Sequence, residues 1–182
     1  MKRKILFLFL GLFLVVGCTQ MMNTPTKQVE EFLSKYQTMD KKVMNQLDEV
    51  ISSAGTMTKE QKEKYRELMK NQYKNLAYKI KEDKEDGNEA TVEVEVEVYD
   101  YATAIKNSES YLLTHKEEFL RSDVEEETVD EEKFMDYKLE QMDKVKDKIK
   151  YTLHFVLEKK DKEWKLEDIT DIDRQKLHGL YS

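Results

Sequence analysis

From Thr24 onward, apolar side chains recur at every third or fourth position: Val29, Phe32, Leu33, Tyr36, Met39, Val43, Leu47, Val50 and Ile51. That spacing puts them on one face of a helix. Thr24 offers a capping hydroxyl and Pro25 suits the first helical position, so the pattern predicts a helix, or a pair broken near Asp40, that ends by Ser52-Ser53-Ala54-Gly55. Thr58 followed three residues later by Gln61 is a capping box, and Tyr65, Leu68, Met69, Gln72, Tyr73 and Leu76 continue a helical stripe behind it.

At Leu76 the period falls from about 3.6 to 2. Leu76, Tyr78 and Ile80 alternate with Ala77, Lys79 and Lys81, which predicts a strand. Asp86-Gly87-Asn88 marks a turn, and Ala90 to Val98 then alternates valine with glutamate, as a strand does when one face is buried and the other is wet. Helical spacing returns at Ala104, Ser108, Tyr111, Leu112, His115 and Phe119, between Ala102 and Leu120, and again at Met135, Leu139, Met142, Val145 and Ile149. A hairpin is expected from Ile149–Leu157, a turn at Lys160-Asp161-Lys162, and Glu163–Ile169. Asp171 to Leu177, closed by Gly179, reads as one or two helical turns. The order predicts an α+β fold: N-terminal helices packed on one face of a curved four-stranded antiparallel sheet, with two further helices inserted between strands two and three.

The first eighteen residues follow another logic. Lys2-Arg3-Lys4 lead into an apolar run from Ile5 to Val16, closed by Gly17 and Cys18. Spanning a bilayer takes about 20 apolar residues, so the short run with a basic flank and a small-residue stop predicts a cleaved export leader. It resembles the bacterial lipoprotein signal, which implies cleavage after Gly17 and lipid attachment at the Cys18 sulfur. Cys18 is the only cysteine, so the exported domain is expected to stand without an internal disulfide. The expected organisation is a leader over 1–17, a lipidated cysteine and short tether over 18–24, and a single domain over 25–182.

Three of the 31 basic residues fall in the leader, leaving 28 against 38 acidic residues, a net charge of −10 for the remainder. Nucleic acid is therefore not an expected partner. The same charge repels an anionic membrane surface over about 8 Å, so the attachment would come from lipid, not from the protein surface. The six residues from Thr19 to Thr24 reach at most about 20 Å, which would hold the domain close to the membrane.

Thr24-Pro25 at the first helix, the Val92-to-Val98 strand running into Tyr99-Asp100-Tyr101, the Trp164 strand and the closing Lys176-Leu177-His178-Gly179-Leu180-Tyr181 together resemble a family of small bacterial lipoproteins of unknown function. The fold of that family is nuclear-transport-factor-two-like, or cystatin-like. The resemblance implies a bacterial cell-envelope protein, anchored at the extracytoplasmic face of the cell membrane, whose sheet and helices form an apolar cone. Its expected partners are the membrane, through the anchor, and a small apolar ligand or another envelope protein.

Some relatives with this fold are isomerases or dehydratases, which makes an enzyme of isomerase or hydratase type the alternative. Its candidates are Asp100 with Tyr99 and Tyr101, or His115, and Tyr111 is a further candidate pocket residue. Asp100 continues the valine parity and could point inward, where burial would raise its pKa toward use as a base; it could equally cap the next helix. His115 lies on the apolar stripe of its helix, either facing a pocket or hydrogen-bonded at the boundary. His154 takes the outward parity of its strand and His178 falls in the tail. Three scattered histidines give no transition-metal ligand set, and no motif implies a cofactor. The acidic stretch Asp123–Glu132 reads as a hydrated connection between helices.

Overall fold

A computed structural model describes residues 23–123 and 127–182. The predicted leader, Gly17, Cys18 and the tether as far as Met22 lie outside the described residues, as does the centre of the acidic stretch, residues 124–126.

Helix α1, Pro25–Gln37, starts where the Thr24 side chain accepts the Lys27 N–H at 3.2 Å. It stops in a Schellman motif: the Asp40 N–H donates to Lys35 O at 2.8 Å and the Met39 N–H to Tyr36 O at 2.9 Å, with Met39 left-handed at φ 53°. Asp40 then caps α2, Lys41–Ser53. The expected break is therefore a sharp corner. Helix α3, Lys59–Lys74, carries the reciprocal capping box of Thr58 and Gln61. Gln61 is buried and also donates through Nε2 to Glu132 O and Asp136 Oδ1, both at 2.9 Å, which ties α3 to the later helix α5, Glu131–Asp143.

Strands β1 (Ala77–Asp86), β2 (Glu89–Tyr99), β3 (Lys148–Lys160) and β4 (Glu163–Leu166) form an antiparallel sheet in that order. Gly87, at φ 61°, opens the two-residue β1–β2 turn. Register places Val92 opposite Phe155, Val94 opposite Leu153 and Ala90 opposite Leu157, all of them buried. The other face carries Glu93, Glu95 and Glu97; Glu95 accepts from Lys150 at 3.1 Å and from Lys81 at 3.4 Å. These two contacts, that from Lys150 first, hold the Glu95 carboxyl below its usual range. The glutamate–valine alternation thus separates an ion-paired face from a core face. Across the core face α1 seats Phe32 edge-on against Phe155, ring centres 5.6 Å apart.

Between β2 and β3 the chain runs through α4 (Tyr101–Thr114), a 3-10 turn over Lys116–Phe119, and α5. The helix expected to reach Leu120 ends at Thr114 instead. The chain tightens there to seat Phe119 against Phe134 and Tyr137, at 5.4 and 5.3 Å between centres, in an aromatic cluster of its own. Strand β4 is also shorter than its pattern implied. Its turn residues Asp161 and Lys162 are left-handed, at φ 53° and 68°, and after the Glu167 N–H donates to Val156 O the chain leaves the sheet for α6, Asp171–His178.

Side-chain and backbone contacts tie the first and last described elements into the fold. Asn23 pairs its side-chain amide with the backbone of Trp164, accepting from the N–H and donating to the carbonyl. At the other end Gly179 closes α6 in a second Schellman motif, φ 69°, and its carbonyl accepts the Ala102 N–H at 2.8 Å. Fully buried Gln72 donates to Tyr99 O at 3.0 Å and His178 O at 2.9 Å, and accepts the Tyr99 N–H at 2.8 Å. The described helices and sheet share one main core.

Candidate functional site

Asp100 is the N-cap of α4: its carboxylate accepts the Thr103 N–H at 3.0 Å, and its own N–H donates to Asp147 O. The inward-pointing option for Asp100 is thereby corrected, because the strand has ended and the carboxylate is committed to a helix start. His115 is the C-cap at the far end of α4, about 21 Å away along fourteen helical residues. It stacks flat on Tyr111, ring centres 3.9 Å apart, while the Tyr111 hydroxyl donates to Glu118 at 3.0 Å. The structure therefore brings Tyr111 and His115 together at the surface and leaves Asp100 apart. None of the three lines any of the four cavities described here.

The space between the sheet and α1 is filled as well. Val92, Val94, Val96 and Val98 have no exposed surface and line none of these cavities, so the expected cone is packed with side chains along β2. Open space lies beside it, where short β4 and the 167–170 segment leave the α1–α2 corner uncovered. One cavity of about 510 Å³ runs between Phe32 and Val43 on the helices and Leu166, Ile169 and Arg174 opposite. A second, of about 310 Å³, shares Tyr36, Val43, Gln46 and Arg174 as a common wall and extends to Leu47, Tyr65, Tyr73 and His178. Pockets that hold small molecules are typically about 300–1,000 Å³.

At the inner end Tyr36 meets Tyr73 edge-on at 5.1 Å, and the Tyr73 hydroxyl lies 3.1 Å from His178 Nε2. Burial pushes both tyrosines upward, keeping them protonated. Burial first, and the Arg174 charge second, lower His178 to about 4, so its imidazole is neutral at physiological pH. Tyr73 OH is itself protonated and has no other protein acceptor among the described residues; donating to Nε2 puts the imidazole proton on Nδ1.

Arg174 stands in the common wall with little to hold it. Its Nη2 reaches Ile169 O only at 3.5 Å, and its Nε is 3.9 Å from Asp171 Oδ1, a carboxylate that is 96% exposed. The larger cavity has a mixed wall that includes Glu31, Lys35, Lys42, Lys165, Glu167 and Asp168, and the smaller a mainly apolar one; a weakly held guanidinium and a buried neutral imidazole on the latter suit it to holding a ligand. Arg174 and His178 stand four apart on one face of α6, a spacing that was available to sequence reading although His178 was assigned to the tail.

Neutral His178 makes stability depend on pH. The unfolded chain takes up a proton near pH 6.5 that the native state refuses until about 4, so stability falls as pH drops through that window, by up to about 1.4 kcal/mol per unit. Urea unfolding at pH 7, 6 and 5 is expected to show a shallower loss in His178→Asn than in the wild type. Parallel losses would rule the histidine out as the source.

Among the described residues no group of three His, Cys, Asp or Glu is placed to hold a metal ion, and no helix is long and apolar enough to cross a membrane. Compared with models of known families, with curated proteins and with solved structures, the chain matches none.

Proposed function

We propose that this chain is a bacterial cell-envelope lipoprotein, anchored through Cys18 at the extracytoplasmic face of the cell membrane, whose domain is a binding module for a small ligand. The observation that carries the binding half is the double cleft between the α1–α2 corner and α6, sized for a small molecule and walled by Phe32, Tyr36, Val43 and Leu47. The basic flank, apolar run and lone cysteine support the anchor. A nuclear-transport-factor-two-like arrangement, its sheet curved around the N-terminal helices and α4 and α5 as an insertion, is the finer fold reading we attach to it. Another envelope protein is the second class of partner this reading admits, and the net charge of −10 argues against nucleic acid. The isomerase or hydratase alternative through Asp100 or His115 draws no support from the four described cavities, which neither residue lines.

The full-length chain, expressed in a bacterium fed an alkyne fatty acid, is expected to take up the label and sediment with membranes, and Cys18→Ser to lose the label. A label that survives Cys18→Ser overturns the anchor. For the binding half, residues 23–182 titrated with 1-decanol are expected to show saturable chemical-shift changes at Tyr36, Val43, Leu47 and Tyr65. Shifts scattered over the surface, or none, would remove the cleft as the binding site.

A further inference from the structure

We infer that the cleft selects an amphiphile with an anionic head, an alkyl carboxylate, whose head is held by Arg174 and His178 and whose tail lies along Val43, Leu47 and Tyr65. The inference rests on the proposed binding role of the cleft and adds the chemistry of its occupant.

The argument starts from what any occupant does to Arg174. The guanidinium lines both cavities and is 39% exposed, so part of its water lies in the cleft. A bound molecule strips that water. The protein offers no replacement, since its own contacts are one carbonyl at 3.5 Å and one fully solvated carboxylate at 3.9 Å. Covering a cation without supplying an acceptor is costly, so a neutral occupant is penalised where an anionic one is rewarded. A carboxylate matches the guanidinium fork with two parallel hydrogen bonds.

His178 adds a second donor on the same wall. With Nε2 taken by Tyr73, its proton is on Nδ1, and Nδ1 makes no hydrogen bond to the described residues. Beside these groups the second cavity, open to solvent at one side, runs along Val43, Leu47, Val50 and Tyr65, with Gln46 among them and Val50 59% exposed at the rim. Glu49 and Asp171 are the acidic residues on that lining, and the side chain of Asp171 stands almost wholly in water, where its repulsion is screened. In the second cavity one cation, Arg174, one neutral donor and an apolar trough describe a fatty-acid-like ligand better than a sugar or a nucleotide, which would leave the trough unfilled.

The test uses residues 23–182, wild type and Arg174→Gln, with decanoate, 1-decanol and acetate as probes, read by calorimetry and by the chemical shifts of the cleft residues. Decanoate is expected to bind at least tenfold more tightly than 1-decanol, and acetate not measurably. Arg174→Gln should lower decanoate affinity by tenfold or more and, by removing the uncompensated cation, leave 1-decanol binding at least as tight as before. If 1-decanol binds as well as decanoate, or Arg174→Gln holds decanoate undiminished, the head-group assignment is overturned while the cleft stands. If neither amphiphile binds, the cleft reading falls and the inference with it.

Discussion

Gly179→Ala is expected to cost the domain about 4 kcal/mol or to prevent folding, among the largest effects a single added methyl group can have. A Cβ built on Gly179 would lie 2.0 Å from Tyr99 O and 2.3 Å from Gln72 Nε2. The first is backbone in the middle of the fold and cannot give way. Relief would mean withdrawing α6 from the β2–α4 junction, breaking the bond from the Ala102 N–H to Gly179 O and the Gln72 donation to His178 O. The left-handed backbone adds about 1 kcal/mol for any residue with a Cβ. Gly87 supplies the control, because at φ 61° it has the same backbone strain but nothing within 4 Å of a Cβ. Gly87→Ala should therefore cost only about 1 kcal/mol. Urea unfolding of the two variants beside the wild type makes the comparison; equal losses would mean that the close approach at Gly179 contributes nothing.

Gln72→Leu is the second large effect, expected at about 3 kcal/mol or more. The side chain is fully buried, so water cannot replace what leucine lacks, and three backbone groups lose their partner: the N–H and carbonyl of Tyr99 and the carbonyl of His178. Each stranded buried polar group costs about 1–3 kcal/mol. Leucine matches the volume well enough that a cavity is not the cause. Thermal unfolding should fall by roughly 10 °C for a domain of this size. A loss below about 1 kcal/mol would show that the junction relaxes to satisfy itself, since that is the size of one ordinary hydrogen bond. Because Gln72 and Gly179 hold one junction, the double variant should lose less than the sum of the two singles.

Local pattern made most elements readable. The Val92-to-Val98 alternation identified a strand with one dry face, and Thr24-Pro25 and Thr58 marked helix starts that the two threonine side chains do cap. The α1–α2 corner was harder to see because its left-handed residue is Met39, where glycine would have advertised the turn. Asp100 carried two readings that differ only in whether β2 continues past Tyr99, and pairing ends there. The cleft was hidden for another reason. Tyr36, Val43 and Tyr73 sit at core spacing, while Arg174 and His178 belong to a tail segment about a hundred residues further on. What makes them a site is long-range packing, which no local period reports.

The pairing of Asn23 with Trp164 has a further consequence. β4 is an end strand of the sheet, and a bare end strand offers its N–H and carbonyl groups to any extended chain that comes near. At Trp164 both groups are already taken by a side chain that mimics one residue of a fifth strand. If the chain is tethered through a site only five residues before Asn23, many copies lie in one plane with their sheets at a common height, the geometry in which edge-to-edge polymerisation is easiest. The residue that fastens the start of the domain to its last strand then also keeps neighbouring copies from zipping together.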